Sequence, residues 1–164
     1  MKRTVTIFVC VAMILVAEIS FAQSGKNPLQ GVWKLSEVTT TGQNASTVKN
    51  PQPGFFIFTG KYYSIVTVNS DKPRADLPQD VNTATAAQLR DAWGPFTAQT
   101  GTYEVKGSEV TVRPLAAKNP GAMNGKNFNT RSFKIEGNSL TLIDKANQNG
   151  PANNPVTRKF TRVE

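Results

Sequence analysis

Histidine is absent from the 164 residues, and cysteine occurs once, as Cys10 inside an apolar run near the start. Without histidine the chain lacks the commonest general base and the usual zinc and haem ligands. A Ser-His-Asp or Cys-His arrangement is impossible. No glycine-rich loop leads from a strand into a helix, so no phosphate cradle is read; Gly121 to Gly125 lies between strands. Charged residues make up 18% of the chain and the basic ones are spread singly, with no basic run or helical stripe. That pattern excludes a nucleic-acid reader, which needs basic and aromatic residues gathered on one element. Asp71, Asp76 and Asp80 share a loop but lack calcium-loop spacing, and are read as solvated. No metal, cofactor or catalytic residue is therefore expected.

Long hydrophobic runs are also missing after the first two dozen residues. Lys2 and Arg3 precede an unbroken apolar stretch from Ile7 to Ala17, and small residues follow at Ala22 and Ser24. This is the three-part pattern of a secretory signal peptide, too short for a comfortable membrane span. Cleavage after Ala22 and cleavage after Ser24 both place small residues at the required positions. The expected organisation is a signal peptide over 1–24 and one domain over 25–164, located in the periplasm or secreted, with no transmembrane segment. The mature chain then has no disulfide, so its core must hold the fold unaided. Losing Lys2, Arg3 and Glu18 takes the formal charge from +8 to +7, which implies weak attraction to anionic surfaces.

What the chain has in plenty is short β-rich runs punctuated by turns. Val32 to Val38 opens as a strand, with Trp33 and Leu35 on one face. Val38 to Asn50 reads as a loop or irregular edge. Gly54 to Thr59 and Tyr62 to Val68 flank Gly60-Lys61 and read as a hairpin, with glycine suited to a type II′ turn. Asn82 to Trp93 is rich in helix formers, capped by Asn82 or Thr83, with Ala86, Leu89 and Trp93 on one side. It reads as a short helix laid across an opening or edge. An internal echo follows. Tyr103-x-Val105-x-Gly107-x-x-Val110-Thr-Val112 returns thirty residues on as Phe133-x-Ile135-x-Gly137-x-x-Leu140-Thr-Leu142. Each copy is a hairpin with its apolar residues inward and Glu104, Lys106, Lys134 and Glu136 in water. Val156 to Val163 closes the chain. The fold class is all-β: one antiparallel sheet of about eight strands, closed on itself to bury one face and remove its edges, with one short helix between strands three and four. A two-sheet sandwich is the rival.

The Gly31-x-Trp33 opening, the aromatic run before Gly60 and the two echoed hairpins together resemble bacterial lipocalin-like domain proteins. The resemblance implies a small calycin-type barrel. It further implies that Trp33 closes the barrel floor and that a late basic residue, Arg158 or Arg162, packs over its ring. The absence of a disulfide and the mid-chain helix depart from lipocalins proper.

A ligand site in such a barrel uses its aromatic wall and a few polar groups. The candidate ligand-binding residues are Trp33, Phe56, Phe58, Tyr63, Trp93, Tyr103, Phe133 and Arg158. Tyr63 and Tyr103 qualify because a buried hydroxyl needs a partner, and Trp93 as a lid or as the anchor of the helix. The leading expectation is an exported protein binding a small, largely apolar molecule inside the barrel or at its mouth. The alternatives are a cavity-free structural or interaction module of the cell envelope, and an isomerase- or cyclase-type enzyme using the pocket. Interior volume separates them: roughly 300 Å³ or more favours binding. The sequence marks no oligomeric state.

Overall fold

The echoed segments fold as the two hairpins they spell. In the computed structural model, which describes residues 27–164, β5 (Phe96–Lys106) pairs with β6 (Glu109–Ala117), and β7 (Asn129–Glu136) with β8 (Ser139–Asn147). Gly107 and Gly137 turn them with nearly equal positive φ, 59° and 57°, a region that glycine enters without steric cost. Val110, Val112, Leu140 and Leu142 are fully buried, with Tyr103, Phe133 and Ile135 packed against them. Val105 is the exception, exposed near the turn. The signal-peptide segment and Cys10 lie outside the described residues.

The remaining strands are β1 (Gly31–Thr40), β2 (Ser46–Lys49), β3 (Phe55–Phe58), β4 (Tyr62–Val68), β9 (Gly150–Pro151) and β10 (Thr157–Arg162). All pairings are antiparallel, in the order β10-β1-β3-β4-β5-β6-β7-β8, and β10 also pairs with β8. The sheet is therefore a closed barrel of eight strand positions.

Ten strands occupy eight positions because two positions are interrupted. β2 lies opposite Glu37–Thr40 of β1, and β3 lies opposite Gly31–Lys34 on the same edge. Pro51 and Pro53 fall at the break, where a residue without an N–H cannot serve the ladder. The edges of the break are still tied, Asn50 N–H to Ser36 O at 3.1 Å and Leu35 N–H to Gly54 O at 2.8 Å. β9 and β10 divide the edge of β8 in the same way, with Ala152 N–H on Lys145 O and Val156 O receiving Asp144 N–H. Of the two readings of Val38–Asn50, the loop is corrected and the irregular edge holds: β1 continues to Thr40 and 46–49 is a short strand. Both faces there are polar and mostly exposed, so no hydrophobic alternation marked it. The Gly60 turn differs too. Gly60 is not at positive φ; instead the Thr59 hydroxyl accepts Tyr62 N–H at 3.1 Å and Thr59 N–H donates to Tyr62 O at 2.8 Å.

Tight turns at 59–61, 107–108 and 137–138 gather at one end, the base. The longer connections gather at the other end, the mouth. The base is filled. Trp33 is fully buried, donating from Nε1 to Leu29 O at 2.8 Å, and Arg162 lies over its ring at 4.0 Å. That settles which arginine meets the indole. Phe56 stacks on Phe58 at 4.3 Å and meets Tyr63 and Phe160 at 5.7 and 6.0 Å. Rings this close across the interior leave no space for a ligand at that level.

α1 (Ala86–Trp93) starts at Thr85, which forms a capping box with Gln88; neither Asn82 nor Thr83 is its cap. Its buried residue is Ala92, whereas Ala86 is exposed and Trp93 remains 48% exposed. Thr67 faces the interior, so by alternation its neighbour Val68, and Phe96 opposite Val68, face out. Trp93 meets Phe96 edge-on and Arg74 covers the same ring at 4.7 Å. The helix thus lies against the outer wall beside the mouth, not across the opening. No helix among the described residues is long and apolar enough to cross a membrane.

Gly101 sits where β5 and β6 shift register, and a Cβ there would collide with the Arg113 carbonyl oxygen. Gly101→Ala is expected to cost about 1–3 kcal/mol, read from a urea midpoint; a cost within error would show that β6 yields at this point.

Candidate functional site

Strand alternation carries three charged side chains into the barrel above the aromatic floor. Arg131 on β7 has the parity of Phe133 and Ile135. Asp144 on β8 has the parity of Leu140 and Leu142, and stands opposite Arg131. Arg158 on β10 has the parity of Phe160 and stands opposite Leu142. They meet as one cluster. Arg131 Nε donates to Asp144 Oδ1 at 2.8 Å, and Arg158 Nη1 reaches both carboxylate oxygens at 3.2 Å. The Arg131 side chain is 9% exposed, those of Arg158 and Asp144 17% and 27%. Charges this deep persist only when paired.

Among the described residues three buried side-chain polar atoms have no hydrogen-bond partner: Arg131 Nη1, the Tyr63 hydroxyl and, on the loop after β4, Asn69 Oδ1. Burial pushes the Tyr63 hydroxyl up to about 12, with Arg131's charge opposing. Burial draws Arg131 below its ordinary value while Asp144 holds it up, and a guanidinium stays charged at any working pH. For Asp144, burial acts upward, but the charges and hydrogen bonds of Arg158 and Arg131 outweigh it and hold the carboxyl below its ordinary 3.8.

A pH prediction follows from that sign. A carboxyl more acidic folded than unfolded adds stability above its unfolded value and loses it as pH falls through the folded one. The barrel is expected to lose stability below about pH 4, and Asp144→Asn to lose less over the same range. Urea melts from pH 7 to 2.5 check this; parallel curves would show that Asp144 carries no share of the acid sensitivity.

A cavity of about 310 Å³ at the mouth touches this cluster at Asp144 alone. Asp144 lines its depth, and Asn129, Asn147, Asn149, Asn153 and Asn154 line its rim with Ala146, Pro151 and Ala152. A larger cleft, about 500 Å³, lies outside the wall between the 73–77 loop and α1. Its guanidinium, Arg74, is already engaged, with Nη1 on Ala92 O at 2.8 Å and its face on Phe96.

Of the residues predicted from sequence, Tyr63 and Arg158 come to the interior cluster or its edge. Trp33, Phe56 and Phe58 lie in the filled floor, and Phe133 packs against it. Tyr103 is latched at the base: its hydroxyl donates to Thr59 O at 2.6 Å and accepts from Asn27 Nδ2 at 2.8 Å. Trp93 stands apart on the outer wall. Arg131 and Asp144 are the members sequence reasoning missed. Their parity with the inward apolar residues of the second echoed hairpin was the available signal. Among the described residues no cluster of three or more metal-binding side chains occurs.

The profile of the lipocalin-like domain matches residues 29–142. The chain belongs to that family. Among solved structures, this lipocalin-like chain is similar to a lipocalin-like protein from Bacteroides uniformis, at 17% identity over 82% of this chain and 97% of the other, with a TM-score of 0.44. It is similar also to an uncharacterized protein from Bacteroides eggerthii, at 11% identity over 82% and 98%, again with a TM-score of 0.44. No curated protein matches.

Proposed function

We propose that this lipocalin-like barrel is an exported protein that binds a small molecule through its mouth. The single observation that carries the reading is the mouth cavity, about 310 Å³, whose depth reaches Asp144 of a buried charged cluster. A concave site with a few convergent polar groups above apolar walls is the general form of a small-molecule site. The filled floor and the asparagine rim narrow the expectation of a largely apolar ligand. The ligand fits as a partly apolar molecule with a polar end directed at the cluster. Export rests on the signal-peptide pattern of residues 1–24.

Binding is favoured over catalysis by the protonation of the cluster. A carboxylate held ionised by two guanidiniums is a weak base, and a phenol near 12 is a weak acid at neutral pH. The filled floor also supports a second reading, a structural or interaction module of the cell envelope. Native mass spectrometry of the protein isolated from its own host's envelope or medium separates the two. A stoichiometric co-purified small molecule, whose removal shifts the amide signals of Asn129, Asn147 and Asn153, is the expected result. A ligand-free mass, with no amide shift at the mouth on returning host extract, would leave the module.

A further inference from the structure

We infer that the outer wall of β3 to β6 is a docking surface for an anionic lipid bilayer, independently of what the mouth takes. Alternation sends Phe55 and Ile57 of β3 and Tyr62, Ser64 and Val66 of β4 to the outside, because Phe56, Phe58, Tyr63 and Ile65 fill the core. Register sets them side by side. Phe55 stands opposite Val66 and Val66 opposite Ala98; Ile57 stands opposite Ser64 and Ser64 opposite Thr100. Leu115, at the register shift between β5 and β6, adds to them. Exposure of the five large apolar residues runs from 38% at Ile57 to 63% at Leu115. Together they leave roughly 450 Å² open, within the range where the largest patch of a soluble single chain is often functional. A groove of about 360 Å³ lined by Ser64, Val66, Ala98, Thr100 and Ala116 lies beside them, so no described segment covers the face. The opposite wall is polar, with Ser132, Lys134, Thr141, Lys159 and Thr161 at its outward positions.

Charge decides the occupant. β3 and β4 carry no charged residue. Cations border them: Lys34 stands opposite Phe55 and Lys61 adjoins Tyr62, both exposed and in no ion pair among the described residues. The acids of the flanking strands, Glu37 of β1 and Glu104 of β5, are already paired, with Lys159 at 2.8 Å and Arg113 at 3.1 Å. Apolar area rimmed by unpaired cations, on a chain of formal charge +8, complements negative headgroups over an apolar interior. A second copy fits less well, because an isologous contact would set the cationic rim against itself. A shaped protein partner would want directional groups, about one hydrogen bond per 100–200 Å². Here the ladder consumes the backbone groups, the closed barrel offers no edge, and the Thr100 hydroxyl donates to Tyr63 O at 2.6 Å.

Flotation of the protein isolated from its host tests this, with vesicles of phosphatidylcholine alone and of phosphatidylcholine and phosphatidylglycerol in equal parts. Binding is expected to be at least about tenfold tighter to the anionic vesicles at about 0.1 M salt, and to lose most of that preference at about 1 M. Phe55→Ser with Ile57→Ser is expected to weaken anionic-vesicle binding at least about tenfold, and Lys34→Glu with Lys61→Glu to do the same. Circular dichroism checks that each variant folds. On the wild type alone, bicelles carrying a spin-labelled lipid should broaden the amide signals of Ile57, Tyr62 and Val66 and spare those of Lys134 and Lys159, a readout that stands even if a variant fails to fold. Equal binding to both vesicles, binding unmoved by either double substitution in a folded variant, or broadening centred on the opposite wall would overturn the inference. Absence of vesicle binding would overturn it too. A dimer in sedimentation that Phe55→Ser with Ile57→Ser dissolves would then assign the face to a second copy, and mouth binding would stand untouched.

Discussion

Replacing Trp33 with alanine is expected to cost the barrel about 3–5 kcal/mol, the range of large aromatic truncations in cores. The indole is fully buried at the base, and two separate contacts depend on it. Its Nε1 donates to Leu29 O at 2.8 Å, which pins the lead into β1. Its face receives Arg162 at 4.0 Å, and that guanidinium also donates to Gln30 O at 2.7 Å and Pro28 O at 2.9 Å. The last strand is thereby fastened to the first through one ring. Alanine would leave a void, an unpaired Leu29 carbonyl and an arginine with no ring to cover. Arg162→Ala should cost less, about 1–2 kcal/mol, since a cation over a desolvated ring is worth that order. Urea unfolding followed by circular dichroism measures both. A Trp33→Ala cost under about 1 kcal/mol would remove the indole from its place at the floor.

Asp144→Ala is expected to cost about 3 kcal/mol or more, because it leaves two guanidiniums facing each other inside the wall. Arg131, 9% exposed at its side chain, cannot turn to water, whereas Arg158, at 17%, keeps more contact with solvent. The loss therefore falls mainly on Arg131. A matched apolar replacement of Arg131, Asp144 and Arg158 together should recover most of the stability, since removing a whole buried ion cluster is often neutral. Equal stability of Asp144→Ala and wild type at pH 7 would show that the arginines find other partners.

The second echoed hairpin shows how far the sequence could be read. Its period-2 alternation named Phe133, Leu140 and Leu142 as inward, and the structure places them so. The same parity carries Arg131 and Asp144 inward. As single residues in a basic, well-spread chain they look like solvated charges, because alternation records a face and says nothing of a partner. Arg158 and Arg162 share one parity on β10, and only their strand neighbours separate them. Arg162 lies opposite Trp33, whereas Arg158 lies opposite Val38 and Leu142, beside Asp144. The helix was legible as an element from its composition, yet its seat on the outer wall was not, because eight residues with one buried alanine carry too weak an apolar stripe to point at a surface.

By itself the sequence determined the hairpins, the glycine turns of the two echoed ones, most of their inward residues and the absence of histidine chemistry. These are short-range matters of side-chain parity, backbone permissiveness and residue inventory. The tertiary structure alone decided that β10 joins β1 to β8, that the floor is filled, and that Arg131, Asp144 and Arg158 meet above it. Those depend on the stagger with which distant strands pair around a closed wall, which is set by the packing of the whole core and not by any one stretch of it.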